Sequence, residues 1–497
     1  MRVLMISNDP TALIPGSRVE SRWREYAEIT DGLTVLVATR FWWPLAKDRF
    51  VSDQLTIIFR GMWRALLCKV EGGYDLVSAQ TPFHDGLFGY VQALRMKKPL
   101  QLQVHTDIIN LAFKQSHVRN RFYLLIARFL LPRATRIRAV SEKIKKGLIE
   151  KWGITESKID VLPVFVDGEH FKNAPISTNL HKKYPQFEKI VLMLSRITKE
   201  KNIPLGIAAF RELLKTHPKA GLIIVGSGAE RRRLELLTTN YKLQTHVQFE
   251  DWTPDPASYY KTADCFLNTS NYEGYGMTIV EALAAGCPVV STDVGVAREV
   301  GAAVASGPSA LADALRVAMH KSNRNVVVAN MWVTKTEYLR QYHETFIKTA
   351  SSQPLSFWSE YGLYVRFLLS GVSGAVVNLG LIYVCTKFLD LWYISAATIS
   401  FLFAFLVSFF LQKHWTFGDD GGTHRQIVLC FVIALVNLGI NAILVYFFVE
   451  SLFPAVLGNN ILSGPILATS AAFLSNAVLA IESYFVYRLL IFRPKKQ

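Results

Sequence analysis

The stretch from Cys265 to Glu299, CFLNTSNYEGYGMTIVEALAAGCPVVSTDVGVARE, decides the fold. It runs from a short apolar strand through a glycine-rich loop into a helix of small residues, and a glycine and a proline end that helix before a second apolar strand. A helix that opens near Gly276, Met277 and Thr278 points free backbone N–H groups at whatever binds there. The stretch therefore predicts an anion site, of a kind that suits a phosphate.

Two glutamates flank this predicted anion site. Glu273 lies in the loop, and Glu281 lies eight residues further on, in the helix. Two carboxylates beside a phosphate can hold the hydroxyl groups of a sugar. The alternative is a plain glycine-rich turn followed by an ordinary amphipathic helix, because a short motif taken alone is only a hypothesis.

The whole stretch resembles the donor-site signature of the family 4 retaining glycosyltransferases, which have the GT-B fold. The signature is EG-x-G-x-x-x-x-EA-x-A-x-G-x-P-V-V, and its fixed positions are met by Glu273, Gly274, Gly276, Glu281, Ala282, Ala284, Gly286, Pro288, Val289 and Val290. The resemblance implies a nucleotide-sugar donor, UDP- or GDP-linked. It also implies that Glu273 binds hydroxyls of the transferred sugar and that Glu281 binds the ribose.

Composition and patterning divide the chain. Strand-like and helix-like runs alternate up to about Trp332, which predicts two doubly wound parallel-sheet α/β domains. Four apolar spans then follow, each long enough to cross a bilayer, and they predict an all-α four-helix transmembrane domain. The predicted parts are an N-terminal acceptor-side domain at 1–170, a donor-binding domain at 171–334, a crossing helix and linker at 335–357, and a transmembrane domain at 358–497 with helices at about 366–387, 391–413, 425–449 and 461–491.

Charge indicates the partners and the topology. The net charge is +16, and 47 of the 55 Lys and Arg residues precede Trp358, which favours an anionic bilayer and phosphorylated substrates over nucleic acid. The chain opens on an apolar strand without a leader, and basic residues of the short loops lie mainly on one side. We therefore expect a prokaryotic cytoplasmic membrane protein with its α/β domains and both termini in the cytoplasm. The five cysteines lack a C-x-x-C spacing, which fits that reducing compartment.

Two further site candidates follow strand ends in the first domain, where ligands of parallel sheets bind. Gly16 follows the first strand and His105 follows the fifth, in a V-H-T-D segment. The family resemblance implies that Gly16 approaches the donor diphosphate and that His105 faces the transferred sugar. A plain turn glycine and a core histidine are the alternatives.

In the second domain the resemblance implies that Arg196 and Lys201 grip the diphosphate, with Gly226 in the family's VG-x-G turn. Asn202 stands where glycine is usual and Lys199 is close by, so the choice of lysine stays open. Solvated surface charges are the alternative.

These roles imply a retaining transferase that stabilises a departing nucleotide diphosphate while the sugar becomes oxocarbenium-like. The implied catalytic residues are His105, Arg196, Lys201 and Glu273. No D-x-D segment stands at a strand end, so neither a metal nor another cofactor is expected.

Two stretches of the first domain have the composition of a lipid interface. Residues 40–44 place aromatic residues beside basic ones, and residues 119–138 combine six arginines with an apolar helical face. The alternative is that both apolar faces pack on the sheet.

The membrane part reads as a doubled hairpin, because A-x-V-N-L-G at 375–380 recurs at 434–439 and S-A-A-x-x-S at 395–400 recurs at 470–475. The segment is similar to the GtrA family of four-helix proteins. The resemblance implies a role in moving polyprenyl-phosphate-linked sugars across the membrane. Polar groups within such spans often mark a substrate path. The candidates are Asn378, Asn437, Lys413, Glu482 and Arg488. The alternative is hydrogen bonding between helices, with Glu482 paired to Arg488 or Lys413.

The leading hypothesis is a membrane-bound retaining glycosyltransferase that acts on a lipid, either polyprenyl phosphate or a polyprenyl-linked sugar, with phosphatidylinositol as second choice. The membrane domain would anchor it and bind or flip the product, and a homo-oligomer is compatible with this arrangement. The alternatives are a transporter or anchor that only binds a nucleotide-sugar, and a nucleotide-sugar epimerase of GT-B fold.

Overall fold

The structure is a computed structural model that describes residues 1–39, 48–61, 65, 70–320, 333–390, 393–419, 421–452, 474–475 and 478–492. The aromatic residues predicted to touch lipid at 41–44 lie outside these ranges. The chain forms two compact units, Met1–Leu355 and Ser356–Gln497.

The first unit begins with an eight-stranded sheet in the order β3-β4-β2-β1-β5-β6-β7-β8. Its strands are β1 Arg2–Ser7, β2 Gly32–Thr39, β3 Arg49–Ser52, β4 Leu55–Gly61, β5 Leu76–Ala79, β6 Leu100–Val104, β7 Arg136–Ala139 and β8 Ile159–Val161. All the pairings are parallel except that of β3 with β4, which the sequence does not predict. The two-residue connection between them is too short for a parallel crossover, so these strands form a hairpin.

The second sheet has six parallel strands in the order β11-β10-β9-β12-β13-β14. They are β9 Lys189–Leu194, β10 Ala220–Val225, β11 Val247–Glu250, β12 Cys265–Asn268, β13 Val289–Ser291 and β14 Ala303–Val304. Strand order reverses between β9 and β12, and the crevice at such a switch point is where doubly wound sheets bind ligands.

Helices cover both sheets. They are α1 Arg18–Glu28, α2 His84–Met96, α3 Leu111–Ser116, α4 Val118–Leu130, α5 Glu142–Trp152, α6 Gly168–Asn173, α7 Leu180–Lys183, α8 Ile203–Leu214, α9 Arg231–Asn240, α10 Pro256–Thr262, α11 Met277–Ala284, α12 Pro308–His320 and α13 Lys335–Ala350. Apolar side chains of α8 and α12 pack with those of β9 and β10 in one buried cluster.

Helix α13 returns to the first sheet after the second domain. Its Tyr338, Tyr342 and Phe346 are buried in the cluster that contains Trp23 and Tyr26 of α1. The rings of Tyr26 and Tyr342 stack with centroids 4.3 Å apart. The helix thereby joins the end of the second domain to the core of the first.

The second unit contains α14 Phe357–Lys387, α15 Tyr393–Phe410 and α16 Thr423–Phe447. Helix α14 begins nine residues before the predicted position 366. The prediction counted only the uncharged span, whereas the helix also includes the polar residues that precede it. Among the described residues, Tyr361–Cys385 and Ile399–Phe417 are helical, long and apolar enough to cross a membrane. About half of the fourth predicted helix, 461–491, falls outside the described ranges, and its described end includes a π-helical turn at Tyr487–Ile491.

Helices α14 and α15 approach closely at Gly374. A Cβ added there would lie 3.0 Å from the Cβ of Ser408 and 3.2 Å from the carbonyl oxygen of Ala404. Small residues at such a contact let two membrane helices pack backbone to backbone. By contrast, a Cβ at Gly380 would meet nothing within 4 Å.

We predict that Gly374→Leu destabilises the α14–α15 hairpin, because overpacking of this kind costs about 1–3 kcal/mol. The measurement is the temperature at which half of the detergent-solubilised protein is lost from the monodisperse peak. Gly380→Leu adds the same side chain to the same helix and is the control. Equal transition temperatures for the two variants would contradict the close packing at Gly374.

Candidate active site

The candidate site lies where β9 and β12 end side by side. Because β12 pairs with β9, the loop after Leu194 and the loop after Asn268 meet at one edge of the sheet. The first loop carries Arg196 and Lys201, and the second carries Glu273. The topology thus brings together residues that are more than seventy positions apart in sequence.

Lys201 and Glu273 form an ion pair. The Nζ atom of Lys201 lies 2.5 Å from Oε1 of Glu273, and the hydroxyl of Ser270 donates to the same oxygen at 2.7 Å. Both charged side chains are mostly buried, with 14% and 16% of their surface exposed. The side chain of Lys199 is exposed instead. Of the two lysines, the structure therefore places Lys201 against the glutamate.

Backbone contacts hold the two loops together. Asn202 has a φ of +44°, a left-handed conformation that asparagine tolerates better than most residues, which explains why it can replace the usual glycine. Its Nδ2 donates to Oδ1 of Asn271 at 3.0 Å, and the hydroxyl of Thr269 donates to the carbonyl oxygens of Lys201 and Asn202. These bonds fix the backbone at the lysine and at the residue that follows it.

Gly226 permits a close approach beside Arg196, since a Cβ on it would lie 1.9 Å from the carbonyl oxygen of Ser195. Arg196 itself is not brought to the Lys201–Glu273 pair. Its side chain is 75% exposed, and its Nη2 lies 3.2 Å from Oε1 of Glu200, four residues further along the chain.

Glu281 faces a different partner from Glu273. Its Oε2 accepts a hydrogen bond of 3.1 Å from the hydroxyl of Tyr260. Burial raises the pKa of Glu281 above its usual value, and the hydrogen bond from Tyr260 opposes that rise. The carboxylate is therefore a strong acceptor for any hydroxyl that reaches it.

The start of α11 is open to a ligand. Its N-cap is Gly276, with a φ of +95° and no side chain to satisfy the first N–H groups. Met277 is exposed and Thr278 is half-buried. These are features of a helix N-terminus that can accept an anion.

The first domain closes on this edge through Gly274. A Cβ on Gly274 would lie 1.8 Å from the carbonyl oxygen of His105, so only glycine permits the approach. The hydroxyl of Ser141 donates to the carbonyl oxygen of Gly274 at 3.0 Å, and Nδ2 of Asn110 donates to that of Asn271 at 3.2 Å. Both domains therefore contribute to the site.

The His105 side chain is held from within its own domain. Its Nε2 lies 3.1 Å from Oε1 of Gln103. Burial lowers the pKa of His105 to about 3, and the nearby positive charges of Arg138 and Arg22 act in the same direction. The imidazole is therefore neutral at physiological pH.

Gly16 has a φ of +72°, in a turn before α1. Its N–H donates to Oε2 of Glu20 at 3.2 Å and so already has a partner within the loop. Glu20 is itself buried and bonded to Arg24 and Arg49. A phosphate contact by this N–H would require the bond to Glu20 to break.

The sequence reasoning missed Ser270, Tyr260 and Asp85. Asp85 is fully buried near the ends of β1 and β5; burial raises its pKa to about 7, and one of its oxygens has no partner among the described residues. The segment after the strand YDLVSA carries this aspartate, so the strand-end rule could have found it. Within the described residues, no group of three or more His, Cys, Asp or Glu is arranged to hold a metal.

Four polar candidates of the second unit form three separate sets of hydrogen bonds. Nδ2 of Asn437 donates to Glu482 at 3.1 Å and to Ser483 at 2.7 Å. Lys413 is buried, and its Nζ donates to the carbonyl oxygen of Gly421 at 2.6 Å, to the hydroxyl of Thr423 at 2.8 Å and to Oε1 of Gln426 at 3.0 Å. Arg488 donates to the hydroxyl of Tyr484. Among the described residues Glu482 accepts from Asn437 and forms no ion pair with Arg488 or Lys413, so the alternative of hydrogen bonding between helices is present with a different partner.

Asn378, the repeat counterpart of Asn437, differs from it. Its Oδ1 is buried without a hydrogen-bond partner among the described residues. The sequence repeat at these two asparagines is thus not matched by equal hydrogen bonding.

Three family profiles match the chain. Residues 29–170 match Glycosyltransferase Family 4, residues 178–326 match Glycosyl transferases group 1, and residues 366–492 match the GtrA/DPMS transmembrane domain.

Among curated relatives, the alpha-monoglucosyldiacylglycerol synthase of Streptococcus pneumoniae is 30% identical over 253 residues, which cover 49% of this chain and 57% of that protein. The N-acetylgalactosamine-N,N'-diacetylbacillosaminyl-diphospho-undecaprenol 4-alpha-N-acetylgalactosaminyltransferase of Campylobacter jejuni is 28% identical over 181 residues, or 36% and 47% of the two chains. The chain thus matches about half the length of each of these relatives.

Two solved structures share the fold of the first unit. HepE of Anabaena, in complex with UDP and glucose, superposes with a TM-score of 0.54 at 20% identity, over 70% of this chain and 99% of that one. Sucrose-phosphate synthase of Thermosynechococcus elongatus gives 0.55 at 19% identity, over 70% and 98%. The family matches and the two α/β domains show that residues 29–326 belong to the family 4, group 1 glycosyltransferases of GT-B fold, and a GtrA/DPMS transmembrane domain follows them in the same chain.

Proposed function

We propose that this membrane protein is a retaining glycosyltransferase that moves a sugar from a nucleotide-sugar to a membrane lipid. The observation that carries the proposal is the Lys201–Glu273 ion pair at the switch point of the second sheet, with the open start of α11 beside it in the sequence. A cation for a leaving phosphate and a carboxylate for sugar hydroxyls are held there by neighbouring strands. In this proposal residues 1–170 take the acceptor side and residues 171–334 bind the donor.

Lys201 and the N–H groups at the start of α11 would stabilise the negative charge that develops on the departing diphosphate. Such donors work best when they are fixed before the reaction, and losing one typically costs about 10²–10³-fold in rate. Glu273 would exchange part of its bond with Lys201 for hydroxyls of the transferred sugar. The positive charge that stabilises the departing diphosphate would then come from the protein chain alone.

Arg196 would join the diphosphate by leaving Glu200. In its present ion pair the Arg196 side chain is 75% exposed, whereas Glu200 is 21% exposed. Solvent screens the exposed guanidinium, so exchanging the carboxylate for a phosphate costs little. Glu281 would accept hydroxyls of the ribose, and Gly16 and Gly226 would line the diphosphate.

The donor proposed first is a UDP-sugar, because HepE was solved with UDP, with a GDP-sugar as the second choice. Of the relatives named above, one synthesises a glucosyl-diacylglycerol and the other glycosylates a diphospho-undecaprenol, which supports a lipid acceptor. Polyprenyl phosphate or a polyprenyl-linked sugar is our first choice of acceptor and phosphatidylinositol our second. The GtrA-like domain would anchor the enzyme in a prokaryotic cytoplasmic membrane, with both termini cytoplasmic, and bind or flip the product.

Helix α4 presents a face suited to an anionic bilayer. Val118, Phe122 and Leu125 are 72%, 64% and 67% exposed, while Ala127 and Leu130 on the opposite side are buried. The helix also carries three arginines, and no Asp or Glu occurs between positions 107 and 142. Apolar side chains among basic ones are the pattern of an interfacial helix, in which each basic residue contributes about 1 kcal/mol near an anionic surface.

The proposed function is tested by incubating membranes that contain the full chain with a panel of labelled nucleotide-sugars. We expect one donor to label an extractable lipid, and the anomeric configuration of the product to match that of the donor. Label in a soluble sugar product would indicate an epimerase. Donor binding without any labelled product would indicate an anchor that only binds nucleotide-sugar.

We predict that Lys201→Met weakens UDP binding and lowers transfer about 100-fold, since the diphosphate loses its buried cation. Isothermal titration with UDP and initial rates of transfer measure the two effects. Lys199→Met, two residues earlier on the exposed side of the same turn, is the matched control and should stay near the wild-type values. Equal losses in both variants would contradict the assignment of Lys201.

The double substitution Phe122→Ser with Leu125→Ser should lower transfer to lipid in anionic vesicles several-fold while UDP affinity is unchanged. The reason is that α4 would lose the apolar surface that it buries in the bilayer. Leu236→Ser, which removes an exposed leucine from α9, is the control. An unchanged rate in the double variant would show that α4 does not contact lipid during transfer.

A further inference from the structure

We propose that Gln103 and Arg138 are positioning residues that fix the His105 imidazole, with Nε2 protonated and the lone pair of Nδ1 available to a ligand. The consequence for catalysis depends on the proposed function. The hydrogen-bonding arrangement does not depend on the proposed function, so the arrangement and the function can be tested separately.

The orientation of the Gln103 amide is determined by Arg138. A guanidinium can only donate hydrogen bonds, and its Nη1 lies 2.9 Å from Oε1 of Gln103. On the other side of the amide, Nε2 donates to the hydroxyls of Ser78 and Tyr342 at 3.0 and 2.8 Å. If the amide oxygen and nitrogen exchanged places, the amide N–H groups of Gln103 would face the guanidinium of Arg138, and two donors would meet without an acceptor.

This orientation determines the tautomer of His105. Because Oε1 of Gln103 can only accept, Nε2 of His105 must carry the proton of the 3.1 Å bond between them. A neutral ring then has its lone pair on Nδ1, which has no hydrogen-bond partner among the described residues. His105 can therefore accept a hydrogen bond from a ligand hydroxyl at Nδ1.

Burying the charge of Arg138 is energetically unfavourable, and the contacts of its guanidinium offset part of that cost. It is 2% exposed, and no carboxylate within the described residues forms an ion pair with it. Its remaining bonds go to the carbonyl oxygens of Leu162 and Pro163 and to the hydroxyl of Tyr338, and its guanidinium lies 4.6 Å from the ring centre of Tyr342. A buried cation without a counter-ion is costly. A positioning role at the site would account for its presence.

Tyr338 and Tyr342 both belong to α13, the helix that returns from the second domain and precedes the membrane unit in the sequence. Gln103 also lies between Ser78 on β5 and the ring of His105. The orientation of a residue at the donor site is therefore set by the packing of α13 on the first sheet.

Strand β6 offers a matched control at Gln101. Gln101 and Gln103 are the same residue type on the same face of the strand, 1% and 0% exposed, and both contact α13. Gln101 donates to Thr345 and Thr349 and accepts from Ser78, but it makes no hydrogen bond to His105. A purely structural role would make the two glutamines equivalent.

The experiment compares the full chain with Gln103→Leu and Gln101→Leu. Selective ¹⁵N-histidine labelling reports which ring nitrogen of His105 is protonated, with the signal assigned by its loss in His105→Asn. We expect Nε2–H in the wild type and in Gln101→Leu, and a mixture of tautomers in Gln103→Leu. In transfer assays we expect kcat to fall at least tenfold in Gln103→Leu, with the KM for the donor changed far less.

Gln103→Met provides a second variant that keeps the length of the side chain, in case Gln103→Leu does not fold. It likewise removes the acceptor that faces Nε2 of His105 and should give the same mixture of tautomers as Gln103→Leu. A wild-type spectrum with Nδ1–H, or equal spectra and equal kcat losses in the two glutamine variants, would overturn the proposal. If the wild type transfers no sugar, the proposed function fails, and the ¹⁵N spectra still decide the positioning.

Discussion

The ion pair between Lys201 and Glu273 is the interaction on which the site depends. Its two residues meet only because β9 and β12 are neighbours in a sheet whose strand order reverses between them. The loops after these strands are then bonded to each other through Thr269 and Asn202. Because the pair is mostly buried, its charges are poorly screened, and an incoming diphosphate and sugar would compete for them at short range.

Glycine is the second constraint. Gly226 lets the turn after β10 approach Ser195, and Gly274 lets the loop after β12 approach the backbone of His105. Any larger residue at Gly274 would separate the two domains at the point where both contribute to the site. Gly274 belongs to the signature stretch, which thus also contains a glycine that allows the two domains to approach each other.

The signature stretch predicted the fold because its pattern of strand, loop and helix is local, while the roles of Glu273 and Glu281 stay predictions. The pairing of Lys201 rather than Lys199 could not be read from spacing, since both lie in one short turn. The polar residues of LQLQV and RIRA alternate with apolar ones, a pattern that usually indicates a solvent-facing side. Here the polar side lies beneath α13, and nothing in the local sequence identifies a helix from more than 200 residues away as its cover. The acceptors of Lys413 likewise come from outside its own helix, in the following loop and in α16, and the pattern of its own span does not reveal them.

The most direct test of the central claim is a structure of the full chain with a bound, non-hydrolysable UDP-sugar. This account predicts that the β-phosphate lies within hydrogen-bond distance of Nζ of Lys201 and of the N–H groups at the start of α11, with a sugar hydroxyl on Glu273. A nucleotide bound elsewhere, with the Lys201–Glu273 pair unchanged and without contact to it, would contradict the account.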